Sequence, residues 1–195
     1  MEETLKNKKR ICVYCSSSNE LPKKFYDFSK LLGEKIGKNG YDMVYGGTTI
    51  GMMGIIAENA TKNGANVLGV IPECIVSLGL KNLEHAETII TKDMRERKAV
   101  MEKHSDVFVA VPGGFGTFEE IFEIIVAKQL NCHNKPIIFL NFDGYFNNLF
   151  KMFDTIYTNN FAKKEMKELY YITNNIEDLF SYIKTYNPRS YIVKY

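Results

Sequence analysis

Residues 107–120 read VFVAVPGGFGTFEE and contain three kinds of local sequence in one short stretch. The run 107–111 is apolar and rich in β-branched residues, which is typical of a strand buried on both faces of a sheet. Residues 112–117 then supply three glycines and a threonine, which suit a tight loop. Apolar residues at helical spacing follow over 118–129. The stretch therefore predicts a strand, a glycine loop and a helix in that order.

The same alternation runs through the rest of the chain. Further strand-like runs lie at 11–15, 43–45, 67–71 and 136–140, and helical patterns lie at 25–38, 52–62, 94–104, 149–158 and 176–186. Strands that alternate with helices form a parallel sheet covered by helices on both faces. We therefore expect a single-domain α/β fold with three layers and a parallel central sheet. The domain is predicted to span 11–195, after a basic N-terminal arm at 1–10.

Composition and charge argue against several classes of partner. The chain has 25 Lys and Arg against 23 Asp and Glu, and residues 1–10 carry the whole excess of +2. A neutral body with a short basic arm offers no broad surface for nucleic acid or for an anionic membrane. No apolar run reaches the roughly 18 residues of a membrane span, and the N-terminus lacks a signal-peptide pattern. We expect a cytoplasmic protein.

The four cysteines do not indicate a disulfide framework in a chain of 195 residues. Cys12 and Cys15 match C-x-x-C, but residues three apart in a strand point to opposite faces of a sheet. No second cysteine pair and no suitably spaced histidine completes a zinc site. The two thiols are therefore interpreted as buried and structural.

Small hydrogen-bonding residues follow three of the predicted strands. They occupy 16–19 after the first strand, 46–54 after the second, and 112–117 after the run 107–111. The carboxyl ends of parallel strands form the ligand-binding edge of an α/β sheet. Glycines let backbone N–H groups approach an anion, and helix N-termini carry a partial positive charge. Three such loops predict a ligand that bears a phosphate.

Several phosphate chemistries do not fit these loops. The glycine loops at 46–54 and 112–117 both lack the G-x-x-x-x-G-K-[ST] pattern of a nucleotide triphosphatase. A dinucleotide fingerprint fails because Glu119 stands where the third glycine belongs, and no acidic residue ends the next strand. No G-x-S-x-G motif is present for a serine hydrolase.

Glu120 has both a structural and a functional interpretation. Thr117 and Glu120 fit a capping box, with Thr117 as the N-cap of a helix and Glu120 three residues later. Alternatively, the carboxylate of Glu120 points toward the sugar of a bound phosphate ester. The two interpretations are compatible, and the sequence leaves both open.

Arg97 also has two interpretations. Asp93 is the predicted N-cap of a helix that begins at Met94, with Glu96 as its capping partner. Arg97 then lies on the apolar face of that helix, where a cation is either paired for structural reasons or fixed at the edge of a site. Lys98 follows directly and is either a surface residue or a phosphate ligand.

Two ordered motifs carry a family resemblance. Residues 112–120 fit P-G-G-x-G-T-x-x-E, and residues 94–98, MRERK, are close to M-H-x-R-K. Shorter matches lie at 44–47, 51–54, 129–130, 135–136 and 141–145. On these residues the chain resembles the Lonely Guy family of cytokinin riboside 5′-monophosphate phosphoribohydrolases, formerly labelled possible lysine decarboxylases. The resemblance extends from about residue 10 to residue 183.

The resemblance implies a Rossmann-like fold and hydrolysis of the N-glycosidic bond of purine nucleoside 5′-monophosphates, either AMP or a cytokinin type. The products are the free base and ribose 5-phosphate. It implies that Arg97 and Glu120 are catalytic. The implied substrate-binding and phosphate-binding residues are Ser16, Ser17, Gly46, Gly47, Met94, Lys98, Gly113, Gly114, Gly116 and Thr117. It further implies a homodimer and requires neither a metal nor a cofactor.

The chain departs from the family pattern at Thr48, Arg95 and Ala127, where a glycine, a histidine and often a tryptophan are usual. We expect these departures to change substrate preference more than reaction type. They also leave open a non-catalytic nucleotide-binding sensor or carrier of the same fold. A decarboxylase is disfavoured because the sequence marks no lysine as an anchor for pyridoxal phosphate.

Overall fold

The central feature of the structure is a parallel sheet. The computed structural model describes residues 8–80, 83–84 and 86–189. Its strands are β1 (Arg10–Tyr14), β2 (Asp42–Tyr45), β3 (Val67–Pro72), β4 (Glu87–Thr91), β5 (Val107–Ala110), β6 (Ile137–Leu140) and β7 (Tyr171–Thr173). Their order in the sheet is β4-β3-β2-β1-β5-β6-β7, and every pair with a defined register is parallel. The predicted α/β fold with a parallel central sheet is confirmed.

The sequence did not predict β4 and β7, which are the two edge strands. Most residues of β4 are exposed, and β7 has only three residues. An edge strand is only partly covered, so it lacks the continuous apolar run that identifies a buried parallel strand. The five strands that the sequence predicted are all more central.

The helices follow the predicted pattern. They are α1 (Lys23–Lys38), α2 (Gly51–Lys62), α3 (Glu73–Val76), α4 (Met94–Lys103), α5 (Phe115–Gln129), α6 (Asn147–Thr158) and α7 (Ile176–Thr185), with 3₁₀ helices at Phe142–Gly144 and Lys164–Leu169. The short α3 was not predicted, and α5 begins three residues earlier than expected. Within the described part of the chain, no helix is long and apolar enough to cross a membrane.

The chain divides into two compact units. The first consists of the described residues of Met1–Cys12 and Asn19–Asp106, and the second of Val13–Ser18 and the described residues of Val107–Tyr195. The predicted arm at 1–10 lies outside the described residues, apart from its last three. Cys12 and Cys15 are buried thiols, as the sequence predicted.

In the first unit, the start of α4 is fixed by its N-cap. The Asp93 carboxylate accepts hydrogen bonds from the N–H groups of Arg95 and Glu96, both at 2.9 Å. These amides, that of Glu96 foremost, hold the pKa of Asp93 below its usual value. The predicted cap is confirmed, but the Glu96 side chain accepts from the N–H of Lys92 at 2.8 Å instead of closing a box on Asp93.

In the second unit, aromatic side chains fill the space beside β6. The ring of Phe139 on β6 has edge-on contacts with Phe146, Phe150, Phe153 and Tyr170. These contacts pack α6 against the sheet, because edge-on aromatic pairs add to the free energy of area burial. The packing fixes the chain segment between β6 and α6, which runs beside the glycine loop.

Candidate active site

The loop after β2 contains two glycines with no space for a side chain. A Cβ atom on Gly46 would lie 2.3 Å from Nη2 of Arg97. Gly47 has φ of +74°, and a Cβ there would lie 2.2 Å from Cγ1 of Ile71. Left-handed φ and crowding both favour glycine. Gly46 therefore allows the loop to approach a buried guanidinium, and Gly47 allows it to pack against β3.

Arg97 lies in the second turn of α4 and is only 8% exposed. Its Nε donates a hydrogen bond to the carbonyl oxygen of Val70 on β3 at 3.0 Å. A guanidinium that extends to solvent would be exposed, so the burial of Arg97 shows that its charged end stays inside the protein. The side chain is instead a fixed buried cation, held between a strand carbonyl and the Cα of Gly46.

The other predicted residues of α4 are less enclosed. Met94 is exposed at the first position of the helix, and Lys98 is half-buried. Arg95, which stands in place of the usual histidine, is exposed. Thr48, after the two glycines of the β2 loop, is buried, and its hydroxyl has no hydrogen-bond partner among the described residues. The structure thus brings Arg97 to Gly46 but leaves Met94 at the surface.

In the second unit, the ends of β1 and β5 lie side by side. The N–H of Ser16 donates to the carbonyl oxygen of Pro112 at 3.2 Å. The Ser16 hydroxyl accepts from the N–H of Ser18 at 3.1 Å, which forms a short turn. Ser17 is exposed at the tip of this turn. The structure therefore places the predicted serines beside the glycine loop, as expected of two neighbouring strand ends.

The three glycines of the loop are in different environments. A Cβ on Gly113 would lie 2.0 Å from Oγ1 of Thr117 and 3.0 Å from the carbonyl carbon of Cys15, so packing within the chain requires glycine there. A Cβ on Gly114 or Gly116 would meet nothing within 4 Å, and neither residue has a left-handed φ. Neither crowding nor φ therefore requires glycine at these two positions.

The predicted capping box at the start of α5 is wrong. The helix begins at Phe115 with Gly114 as its N-cap, and no side chain caps it. Thr117 cannot serve as N-cap because it already lies in the first helical turn, where its hydroxyl packs against Gly113. The amides of the first turn of a helix have no acceptor within the helix. The loop therefore ends in an uncapped helix N-terminus.

Two polar side chains of α5 are buried close to this N-terminus. The Oγ1 atom of Thr117 has no hydrogen-bond partner among the described residues, a state that costs about 1–3 kcal/mol for a buried group. Glu120 is 8% exposed in the second turn. Since the capping box does not form, Glu120 has no role as the cap of its own helix.

Tyr145 is a contact of the glycine loop that sequence reasoning did not assign to the site. Its phenol Oη donates a hydrogen bond to the carbonyl oxygen of Gly113 at 2.6 Å. The residue belongs to the segment 141–145, which matched the family motifs without a role. The match was a signal that this segment matters, but the atom that Tyr145 contacts depends on the tertiary structure.

Each unit offers a different set of chemical groups. The first unit holds a buried guanidinium, which pairs well with carboxylates or phosphates. The second holds an uncapped helix N-terminus bordered by glycines, which suits an anion, and a buried carboxylate suited to general base or electrostatic work. Among the described residues, no group of three His, Cys, Asp or Glu side chains is arranged to hold a metal.

Comparisons with known proteins give a consistent family and fold. A family model described as "Possible lysine decarboxylase" matches residues 53–183. A cytokinin riboside 5′-monophosphate phosphoribohydrolase of Arabidopsis thaliana is 36% identical over 180 residues, which covers 92% of this chain and 79% of that protein. A "probable" enzyme of the same name from Oryza sativa subsp. japonica is 40% identical over 160 residues, covering 82% and 72%.

The structural comparison agrees in fold. The molybdenum cofactor binding protein of Rippkaea orientalis superposes with a TM-score of 0.70 at 22% identity, covering 92% of this chain and 98% of that one. Identity this low supports a shared Rossmann-like architecture and carries no conclusion about activity.

Proposed function

The chain belongs to the Lonely Guy family, whose relatives at this identity are named cytokinin riboside 5′-monophosphate phosphoribohydrolases, and we propose that it hydrolyses the N-glycosidic bond of a purine nucleoside 5′-monophosphate. In this reaction the bond between ribose C1′ and the base nitrogen breaks, and a water oxygen bonds to C1′. The base leaves with a proton, so the products are the free base and ribose 5-phosphate. AMP or a cytokinin ribotide is the proposed substrate.

The observation that carries this proposal is the open space at Gly114 and Gly116. Neither position needs glycine for backbone conformation or for packing within the chain. Gly116 lies in the first turn of α5, where glycine costs up to about 1 kcal/mol relative to alanine. A ligand whose atoms approach the backbone closely would account for glycine at both positions.

We propose that the 5′-phosphate occupies this space. The N–H groups of the first turn of α5 and the hydroxyls of Ser16, Ser17 and Thr117 would donate to its oxygens. Binding would give the buried Thr117 hydroxyl the partner that it lacks among the described residues. Lys98 is proposed as a further substrate-binding residue, as the family resemblance implies.

Glu120 is proposed as the catalytic carboxylate. Cleavage of the glycosidic bond builds positive charge on the ribose ring, and a nearby carboxylate stabilises that oxocarbenium-like state or activates the attacking water. Glu120 follows the phosphate loop on the same helix, so an anchored phosphate would bring the sugar within its reach.

Arg97 is proposed as the second catalytic residue, the role that the family resemblance implies for it. Its guanidinium is buried and fixed, which suits an orienting role. Gly46, Gly47 and Met94 are proposed as substrate-binding residues, as the family resemblance implies.

We further propose a cytoplasmic homodimer. The exposed face of α5 carries apolar residues at helical spacing, namely Phe115, Phe122, Val126 and Leu130. An exposed apolar stripe of this kind is typical of an interaction surface. A second copy of the chain is the proposed occupant.

A nucleotide panel tests the proposed activity. The protein is incubated with AMP, GMP, a cytokinin ribotide and adenosine, and the free base and ribose 5-phosphate are quantified. We expect base release from at least one monophosphate and little from adenosine, which lacks the anchoring phosphate. Tight binding of a monophosphate without any product would favour the non-catalytic carrier instead.

A further inference from the structure

The phenol of Tyr145 contacts the glycine loop from outside the two family motifs. Its Oη lies 2.6 Å from the carbonyl oxygen of Gly113, within the second unit. Thirty-two residues separate the two partners in sequence. The bond therefore depends on tertiary structure and on the conformation of the segment that presents Tyr145.

That segment is held by several independent constraints. The Asn141 side chain accepts from the N–H of Phe146 at 2.7 Å and donates to Oδ1 of Asn147 at 2.9 Å. Asp143 and Gly144 have left-handed φ values of 58° and 69°. Left-handed φ is uncommon outside glycine, although aspartate adopts it more readily than most residues, and the two successive values define a tight turn. The segment is thus built to hold one conformation.

The geometry of the peptide bond transmits this constraint to the loop. A peptide group is planar and trans, so its C=O and its N–H point in opposite directions. The carbonyl oxygen of Gly113 belongs to the same peptide group as the N–H of Gly114. When Tyr145 binds that oxygen, the N–H of Gly114 points away from Tyr145.

Burial of Gly113 opposes rotation of the Gly113–Gly114 peptide. Gly113 is buried, and a Cβ atom there would meet both the Thr117 side chain and the backbone of Cys15. Rotation of the peptide would turn the carbonyl dipole, with its negative oxygen, toward the space beside Gly114. An oxygen there would repel a phosphate, whereas an N–H group attracts it.

We propose that Tyr145 is a positioning residue of the phosphate loop, which holds the Gly113–Gly114 peptide with its N–H toward the ligand. This inference rests on the proposed function and adds a residue to it. Tyr145 acts through the backbone and does not itself touch the substrate.

Tyr145→Phe tests the role because it removes only the hydroxyl. Tyr171→Phe is the matched control, since it deletes a phenol that donates to Asp178 at 2.8 Å, in the same unit but away from the loop. We expect Tyr145→Phe to raise the KM for AMP roughly tenfold, the usual scale for one lost hydrogen bond. The kcat at saturation and the inhibition constant of adenosine are expected to change less than twofold.

A second measurement needs no turnover. In protein labelled with ¹⁵N-glycine, inorganic phosphate is expected to shift the amide resonance of Gly114 in the wild type and in Tyr171→Phe. In Tyr145→Phe the same shift requires roughly tenfold more phosphate. Thermal unfolding of each variant confirms that the comparison concerns folded protein.

The outcomes separate the two proposals. Equal phosphate response in wild type and Tyr145→Phe overturns the role of Tyr145 and leaves the proposed function intact. A parallel loss of AMP and adenosine affinity also overturns it, because a general structural role does not discriminate the phosphate. A wild type that neither binds phosphate nor releases base overturns the proposed function and this inference with it.

Discussion

The guanidinium of Arg97 lies directly against the Cα of Gly46, so that a Cβ atom at residue 46 would stand 2.3 Å from Nη2. Arg97 lies on α4, 51 positions after Gly46, which lies in the loop that follows β2. The space at residue 46 has no room for a side chain larger than that of glycine. Nε is also fixed, by its hydrogen bond to Val70. The close approach of Gly46 and the hydrogen bond to Val70 therefore both fix the position of the buried charge.

Gly46→Ala should displace this guanidinium. The added methyl group would also lie 2.9 Å from Sδ of Met53, so the variant is overpacked. We expect a loss of about 1–3 kcal/mol in the free energy of unfolding. A fall in kcat on the order of 100-fold is also expected, because catalytic groups tolerate little displacement. Urea denaturation and base-release kinetics provide the two values, and unchanged kcat would show that Arg97 needs no fixed position.

Gly116→Ala and Gly113→Ala should have opposite effects. A methyl group on Gly116 meets open space in the first turn of α5, so the variant should be more stable by up to about 1 kcal/mol. Its KM for AMP should nevertheless rise, since the methyl group would occupy space proposed for the phosphate. Gly113→Ala would clash with Thr117 and should lose about 1–3 kcal/mol.

Thermal or urea unfolding combined with AMP kinetics compares the two variants directly. A stabilised Gly116→Ala with wild-type KM would contradict the assignment of that space to the ligand. In that case the glycine would remain without an explanation.

Burial of Lys128 makes the free energy of unfolding depend on pH in the alkaline range. The side chain is fully buried, its Nζ donates to the carbonyl of Leu169 at 2.9 Å, and burial lowers its pKa from 10.5 to about 8. Between these values the unfolded chain binds the proton more tightly, so the lysine's contribution to stability rises as pH increases. The cost of burying the charge is fully present below pH 8.

Lys128→Met removes this cost. Relative to the wild type, the variant's free energy of unfolding should fall on the order of 3 kcal/mol between pH 7 and pH 11. Urea denaturation across that range measures the difference, with Lys151→Met as the control for an exposed lysine. A difference that does not vary with pH would show that the Lys128 pKa is the same in the folded and unfolded chain.

The exposed stripe of α5 predicts the oligomeric state. Val126 is 52% exposed near the middle of the stripe. Val126→Glu would place a charge in the proposed dimer contact and should give a monomer, because burying an unpaired charge is costly. Leu31→Glu, at an exposed leucine of α1, should remain a dimer. The molecular mass from small-angle scattering distinguishes a monomer from a dimer. A monomeric wild type would refute the proposed contact.

Patterns of buried residues allowed much of the fold to be predicted. Central parallel strands such as β5 and β6 are covered on both faces and show as continuous apolar runs. The edge strands β4 and β7 lack that coverage and were missed. The start of α5 was misplaced because Thr117 and Glu120 fit a capping box, while Gly114, a weaker local signal, is the actual N-cap.

The candidate site was predictable only as a set of residue types. Motif spacing predicted site roles for Arg97, Glu120 and the glycine loop, but not that Gly46 packs on Arg97 or that Tyr145 binds Gly113. Both contacts join residues far apart in sequence. Such contacts depend on tertiary packing, which local patterns do not encode.

The most direct test of the proposed reaction incubates AMP with the wild type, Glu120→Gln or Glu119→Gln. The amounts of adenine, ribose 5-phosphate and inorganic phosphate are then measured. Glu119 is the exposed neighbour of Glu120 on α5 and serves as the matched control. We expect the wild type and Glu119→Gln to release adenine and ribose 5-phosphate in equal amounts without inorganic phosphate. Glu120→Gln should lose roughly 10²–10⁴-fold in kcat while remaining folded. Adenine release at the wild-type rate by Glu120→Gln, or release of inorganic phosphate without adenine, would contradict the proposed reaction.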